Sequence, residues 1–250
     1  MTEQVIHPSW PAPANVHALV TTRDLDGESV VPWERCNLGL HSGDALLAVE
    51  HNRSRLQAVL GLPSAPHWLH QVHGTRVIVA TPQTGSAEPQ ADAAVTQESA
   101  VVLAILSADC LPVLLCSRDG REFAAAHAGW RGLAAGVLEA TLASMRTPAV
   151  QCLAWLGPCI GAHTYEVGNE VRQAFVDGGP ANAEQAFTAT RAGHWYADLA
   201  MLARQRLLHA GVGGVYGGGF DTLTDARFYS YRRDGARSGR FASLIWRSAG

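Results

Sequence analysis

The feature that most constrains this 250-residue chain is its middle, where short apolar runs at 101–106, 113–116, 123–126 and 150–156 are separated by brief polar breaks. Runs of this length, bounded by turn residues such as Asp119 and Gly120, predict strands buried on both faces. Between the third and fourth lies a helical stretch at 133–145 with little to interrupt it. Strands are also predicted at 16–22, 75–80 and 241–246, and helices at 45–60, 166–176 and 197–210. The first of those helices carries Leu46, Val49, Leu56, Val59 and Leu60 at roughly helical spacing. Residues 82–89 read as an exposed loop and 211–219 as a glycine-rich passage. Strands and helices mix without the strict alternation of a doubly wound sheet. The pattern therefore predicts an α+β fold, with mixed β-sheets flanked by helices. With no repeat and no linker, residues 1–250 are expected to form a single domain.

Composition enters through one absence, because all 19 basic residues are arginine and the chain contains no lysine. Schiff-base chemistry and the P-loop lysine are thereby excluded, and any bound anion must be met by guanidinium forks, backbone amides or a metal. A net charge of -3 lacks the basic excess expected of a nucleic-acid surface, and no apolar run is long enough for a membrane span. The first residues, Met1-Thr2-Glu3-Gln4, show no basic stretch followed by an apolar one, so no signal peptide is expected. Five cysteines, an odd number without a small-domain spacing, predict reduced thiols and a cytoplasmic protein.

Candidate chemistry gathers where polar loops meet apolar strands. His73, Cys110 and His127 occupy three such places, and a thiolate with two imidazoles fills three corners of a tetrahedral site, leaving the fourth for water or substrate. The alternative is that Cys110 is a small buried hydrophobe and His127 a core histidine bonded to a carbonyl. Asp109 weighs against it, since a carboxylate in so apolar a region must pair. Trp130 and Arg131 add a stacking surface and an anion fork at the start of a helix. His67 and His70 cluster near His73, on a loop as readily as on a helix turn, and His73 is preferred as the ligand. His41 suits a site wall or a capped turn. The 228–235 segment combines aromatics, Tyr229 among them, with the paired guanidinium groups of Arg232 and Arg233, which suit stacking of a planar ring and binding of an oxyanion, although both arginines also fit solvated surface charges. Residues 211–219 do not fit the dinucleotide fingerprint, because Tyr216 stands where the third glycine would fall.

Taken in order, Gln71-Val72-His73-Gly74, Ala91-Asp92-Ala93, Ser107-Ala108-Asp109-Cys110-Leu111-Pro112-Val113 and Ala126-His127-Ala128-Gly129-Trp130-Arg131-Gly132 resemble the YfiH-type laccase-domain family. Leu156-Gly157-Pro158-Cys159-Ile160-Gly161, Tyr165-Glu166-Val167-Gly168 and the 229–233 segment extend the resemblance over almost the whole chain. It implies one α+β domain in which His73, Cys110 and His127 bind zinc. It also implies purine nucleoside phosphorylase activity on adenosine, inosine, guanosine and methylthioadenosine, with adenosine deaminase activity. Its substrates would be a nucleoside and phosphate, with His41, Arg131 and Arg233 as candidate anion contacts and Tyr229 as a stacking residue. Older family names point instead to copper-dependent polyphenol oxidases or laccases. Some members are described as peptidoglycan editing factors, which would suit a Cys110–His127 hydrolase or amidase, and a non-enzymatic zinc-stabilised module is a fourth reading. Many relatives carry a Cys-Thr pair where this chain has Asp221-Thr222.

The oxidase reading is weakened by the residues themselves. The chain has no His-x-His pair and only three methionines, Met1, Met145 and Met201, to serve as an axial ligand.

Overall fold

The structure, a computed structural model, describes residues 4–84, 88–99 and 101–248. In chain order the elements are β1 (Val5–Ile6), β2 (Val16–Thr21), α1 (Leu46–Leu60), β3 (Pro66–His67), β4 (Val77–Val79), β5 (Ala93–Thr96), β6 (Val102–Ser107), β7 (Leu111–Ser117) and β8 (Phe123–Ala128). They continue with α2 (Trp130–Ala135), α3 (Val137–Ser144), β9 (Cys152–Leu156), β10 (Glu166–Gly168), α4 (Asn169–Val176), β11 (Phe187–Ala189), β12 (His194–Ala197), α5 (Leu199–His209), β13 (Gly214–Gly217), α6 (Tyr231–Asp234) and β14 (Phe241–Arg247). Two sheets are mixed, in the orders β1-β2-β14-β6-β3 and β13-β9-β7-β8-β5-β4, and a small antiparallel sheet runs β10-β12-β11. The α+β expectation holds. Among the described residues no helix is long and apolar enough to cross a membrane.

Alternation along the central strands explains the layering. On β7, Leu111, Val113 and Leu115 face a core shared with Leu133 and Leu138 of α2 and α3, Phe175 of α4 and Leu202 of α5. Leu114 and Cys116 face the opposite way, onto Ile105 of β6 and Phe241 and Ile245 of β14. The far side of the five-stranded sheet, through Leu19, Ala104 and Leu244, packs against Leu56 of α1 and Leu38 of the preceding loop. Each such Leu, Ile or Phe, taken fully out of water, contributes roughly 1.5–3 kcal/mol. The result is two sheets face to face with helices outside, and the β6–β7 crossing at Ala108-Asp109-Cys110 passes from one sheet to the other.

Four expectations are corrected. The predicted helix at 133–145 is broken by Gly136, whose φ of +97° is open to glycine, and it starts earlier, at Trp130. Glu166, Val167 and Gly168 form β10 before α4, because they pair with β12. Ala197 likewise ends β12, and α5 begins at Leu199, capped by Asp198 accepting from the Met201 N–H at 2.8 Å. The glycine-rich passage holds a strand, β13, running parallel to β9. Part of the expected loop at 82–89, residues 85–87, lies outside the described residues.

Candidate metal centre and its cavity

His73, Cys110 and His127 converge although they are far apart in sequence. His127 sits on β8 opposite Pro112 of β7, Cys110 ends the sheet-to-sheet crossing, and His73 lies on the loop between β3 and β4. The Cys110 Sγ is 3.7 Å from His73 Nε2, and the three donor atoms all lie within 4.8 Å of one another. In a tetrahedral zinc site, bonds of about 2.3 Å to sulfur and 2.0 Å to nitrogen place S and N about 3.5 Å apart. Donor type, number and spacing thus fit a metal ion, and among the described residues this is the one such group.

Local structure explains why these side chains meet. His73 and Asp109 both adopt positive φ, 61° and 88°, a conformation uncommon outside glycine and enriched at functional sites. The His73 loop is pinned to β6 by Gln71, whose amide donates to the Leu106 carbonyl and accepts from the Leu106 N–H, both at 2.8 Å. It is pinned a second time by Asp92, a carboxylate with 0 % exposure beside β5. Asp92 accepts from the N–H groups of Val72 at 3.2 Å, His73 at 2.8 Å and Gly74 at 2.7 Å, and faces His127 Nδ1 at 2.9 Å. One carboxylate therefore sets the backbone that carries His73 and the ring of His127, leaving His127 Nε2 for the cavity. Burial opposes the Asp92 charge, yet the His127 hydrogen bond and the Gly74 and Val72 amides hold its carboxyl below the usual range. Gly129 leaves room for the group, since a Cβ there would stand 2.8 Å from His73 Cδ2 and 2.9 Å from Cys110 Sγ.

Electrostatics single out one thiol. Burial opposes ionisation of Cys110, but the positive charge and hydrogen bond of His127, aided by His73, bring it down to about 6. Burial likewise opposes the His127 imidazolium, and the Cys110 thiolate with Asp92 outweighs it, raising His127 to about 9. Cys36 and Cys116 are instead pushed up to about 12 by burial, and Cys152 to about 11. Asp109 finds the partners its setting demands: Thr222 Oγ1 donates to it at 2.6 Å and the Arg232 N–H at 2.6 Å. Asp221 holds the turn before β10, accepting from the Gly161 N–H and the Thr164 hydroxyl, each at 2.9 Å. This gives the Asp221-Thr222 pair two distinct structural tasks.

The three donors open into a cavity of about 650 Å³, within the range of small-molecule sites. His41 lines it, its ring 5.0 Å from that of His70, and so does Arg131, whose guanidinium lies over the Trp130 ring at 4.4 Å. Two expected contacts fall elsewhere. Tyr229 is wholly buried between the sheets with its hydroxyl donating to the Trp33 carbonyl at 2.7 Å, because β14 and the 33–38 loop close over it, so it offers no face to the cavity. Arg233 turns back on its own segment, donating to the Phe228, Thr222 and Leu223 carbonyls and pairing with Asp234. Arg232, Arg240 and Tyr165 line the cavity instead. The paired guanidinium groups of the 228–235 segment are expected to suit an oxyanion or solvent, and Arg232 is the one of the two that lines the cavity. Asp92 and Gln71 carry no such expectation; their sequence signal is a setting inside an apolar run for the first and beside His73 for the second.

The family described as multi-copper polyphenol oxidoreductase laccase matches residues 17–248, and the chain belongs to it. A Xylella fastidiosa protein named purine nucleoside phosphorylase is 54% identical, with 97% of this chain and 96% of that protein covered. Escherichia coli purine nucleoside phosphorylase YfiH is 48% identical, covering 97% of this chain and 98% of its own. The crystal structure of a Neisseria meningitidis protein superposes with a TM-score of 0.93 at 48% identity, covering 99% of this chain and 100% of that one.

Proposed function

We propose that this member of the laccase-domain family is a zinc-containing purine nucleoside phosphorylase acting on adenosine, inosine, guanosine and methylthioadenosine, with adenosine deaminase activity in the same cavity. The observation that carries the reading is the meeting, in one cavity of about 650 Å³, of a three-donor metal group with arginines that have no lysine to share their task. The names of full-length relatives near 50% identity support it. Pairing of β2 with β14, and of β14 with β6, joins both ends of the chain to its middle and supports one domain over 1–250. Five free cysteines suit a reducing cytoplasm.

In phosphorolysis a phosphate oxygen bonds to the anomeric carbon as the bond from that carbon to the purine breaks. The purine leaves with the electron pair, and the proton given up by phosphate ends on the base. Arg131 and Arg232 supply fixed positive charge to the incoming anion. Trp130, at the cavity wall, offers an aromatic face to a planar base. Cys110, His73 and His127 would hold the zinc ion, with Asp92 fixing the ring of His127 and the backbone that carries His73. A bound zinc ion supplies Lewis acidity that lowers the pKa of water, the chemistry that hydrolytic deamination requires.

Phenol oxidation by several coppers finds less support, because a single three-donor group is present among the described residues and neither Met145 nor Met201 lines the cavity. The Cys110–His127 pair would serve a metal-free hydrolase, and metal content separates that reading from ours. The test incubates metal-analysed protein with inosine, with and without phosphate. Phosphate-dependent hypoxanthine release that disappears in Cys110→Ala is expected; no release at any phosphate concentration overturns the proposal.

A further inference from the structure

We propose that Tyr165 is a phosphate-binding residue, its phenol hydroxyl completing with Arg131 and Arg232 a seat for inorganic phosphate. The proposal rests on the phosphorylase reading and goes beyond it by assigning a residue and an atom.

Three cavity-lining residues have unspent donor capacity among the described residues. The half-buried Tyr165 lines the cavity, and its hydroxyl hydrogen-bonds to no other described residue. The Arg131 guanidinium likewise forms no hydrogen bond among the described residues and rests on the Trp130 ring. Arg232 uses Nη1 on the Glu166 carbonyl at 3.0 Å, which leaves Nε and Nη2 without a partner among the described residues, and its guanidinium stands 5.2 Å from the Tyr165 ring centre. The charges of both arginines reach the Tyr165 phenol. A phenol O–H and two guanidinium groups lining one cavity match the acceptor oxygens of phosphate, and hydrogen bonds of this charge-assisted kind are the strong ones.

Tyr165 is held in place by the fold. The Tyr165 N–H donates to the Gly161 carbonyl and the Tyr165 carbonyl accepts from the Ala197 N–H, both at 3.0 Å. The intervening turn is tied down by Asp221 through Gly161 and Thr164. Two acidic groups also act on this phenol, Cys110 and Asp109. Asp109 has both oxygens engaged, by Thr222 and the Arg232 N–H, and Cys110 is turned to the two imidazoles. Neither takes up the free donors.

Tyr165→Phe removes the hydroxyl alone. Phosphate titration calorimetry on zinc-loaded wild-type and variant protein should show phosphate Kd raised about tenfold or more, the effect of one hydrogen bond to a charged group. In the inosine assay the phosphate KM should rise in parallel, while inosine KM, zinc content and Tm stay unchanged. Arg232→Gln, which keeps the backbone N–H to Asp109, should weaken phosphate in the same way and serves if the first variant folds poorly. Phosphate affinity unchanged in folded Tyr165→Phe overturns the proposal; should that variant fold poorly, unchanged affinity in Arg232→Gln overturns it. Phosphate binding that depends on Tyr165, without any base release by the wild type, would sink the phosphorylase reading and leave the anion seat standing.

Discussion

The two sides of the cavity are built on opposite plans. The metal-donor side is anchored in sheets: His127 is on a central strand, Cys110 closes a crossing between sheets, and Asp92 ties His127 to the His73 loop with four contacts. The arginine side is carried by short helices and loops, and Arg131, Arg232 and Tyr165 keep donors that no described residue uses. A metal ion needs ligands fixed before it arrives, whereas the arginine side holds hydrogen-bonding capacity in reserve for a ligand that must enter and leave. Losses on the first side should therefore propagate through the whole site, and losses on the second should stay local.

The widest gap should appear among the thiols. In metal-free protein at pH 7, a Cys110 brought to about 6 and a Cys36 or Cys116 pushed to about 12 differ by about five orders of magnitude in thiolate fraction. Iodoacetamide followed by peptide mass analysis should label Cys110 alone, and labelling should fall as the pH drops through about 6, where the thiolate takes up its proton. An onset near the ordinary thiol range, or earlier labelling of Cys36, would break the contrast.

Next in size is Asp92→Asn, which puts an amide donor where four donor groups now converge on two oxygens. Metal affinity, read by competition with a chromophoric chelator, should fall about 10- to 100-fold. Unchanged affinity would mean that the two imidazoles hold their places without it.

Arg131→Ala should raise the phosphate KM about tenfold, as expected for one lost charge-assisted contact, with zinc content intact. The opposite result, zinc lost with the phosphate requirement unchanged, would move Arg131 to the structural side. The smallest effect is expected for Tyr229→Phe, which removes the hydrogen bond to the Trp33 carbonyl and should cost about 1 kcal/mol in denaturant unfolding without altering kinetics. A changed nucleoside KM would contradict its place outside the cavity.

The strands of the central sheets are legible in the chain, because runs such as 113–116 and 123–126 are too apolar to lie anywhere but inside. The nomination of His73, Cys110 and His127 is legible there too, since a polar ligand at the mouth of an apolar strand leaves a local mark. Helix boundaries at Gly136 and Gly168 are not, as a positive φ and a strand partner are settled by neighbours distant in the chain. Tyr229 and Arg233 show the same limit: an aromatic or a guanidinium is equally suited to core, surface or cavity, and packing alone chose the core for one and a ring of local carbonyls for the other. Only the tertiary structure gave Asp92 its double task and turned Tyr165 and Arg232 toward one space. Those roles depend on directions and distances between segments brought together by folding, and no spacing along the chain encodes them.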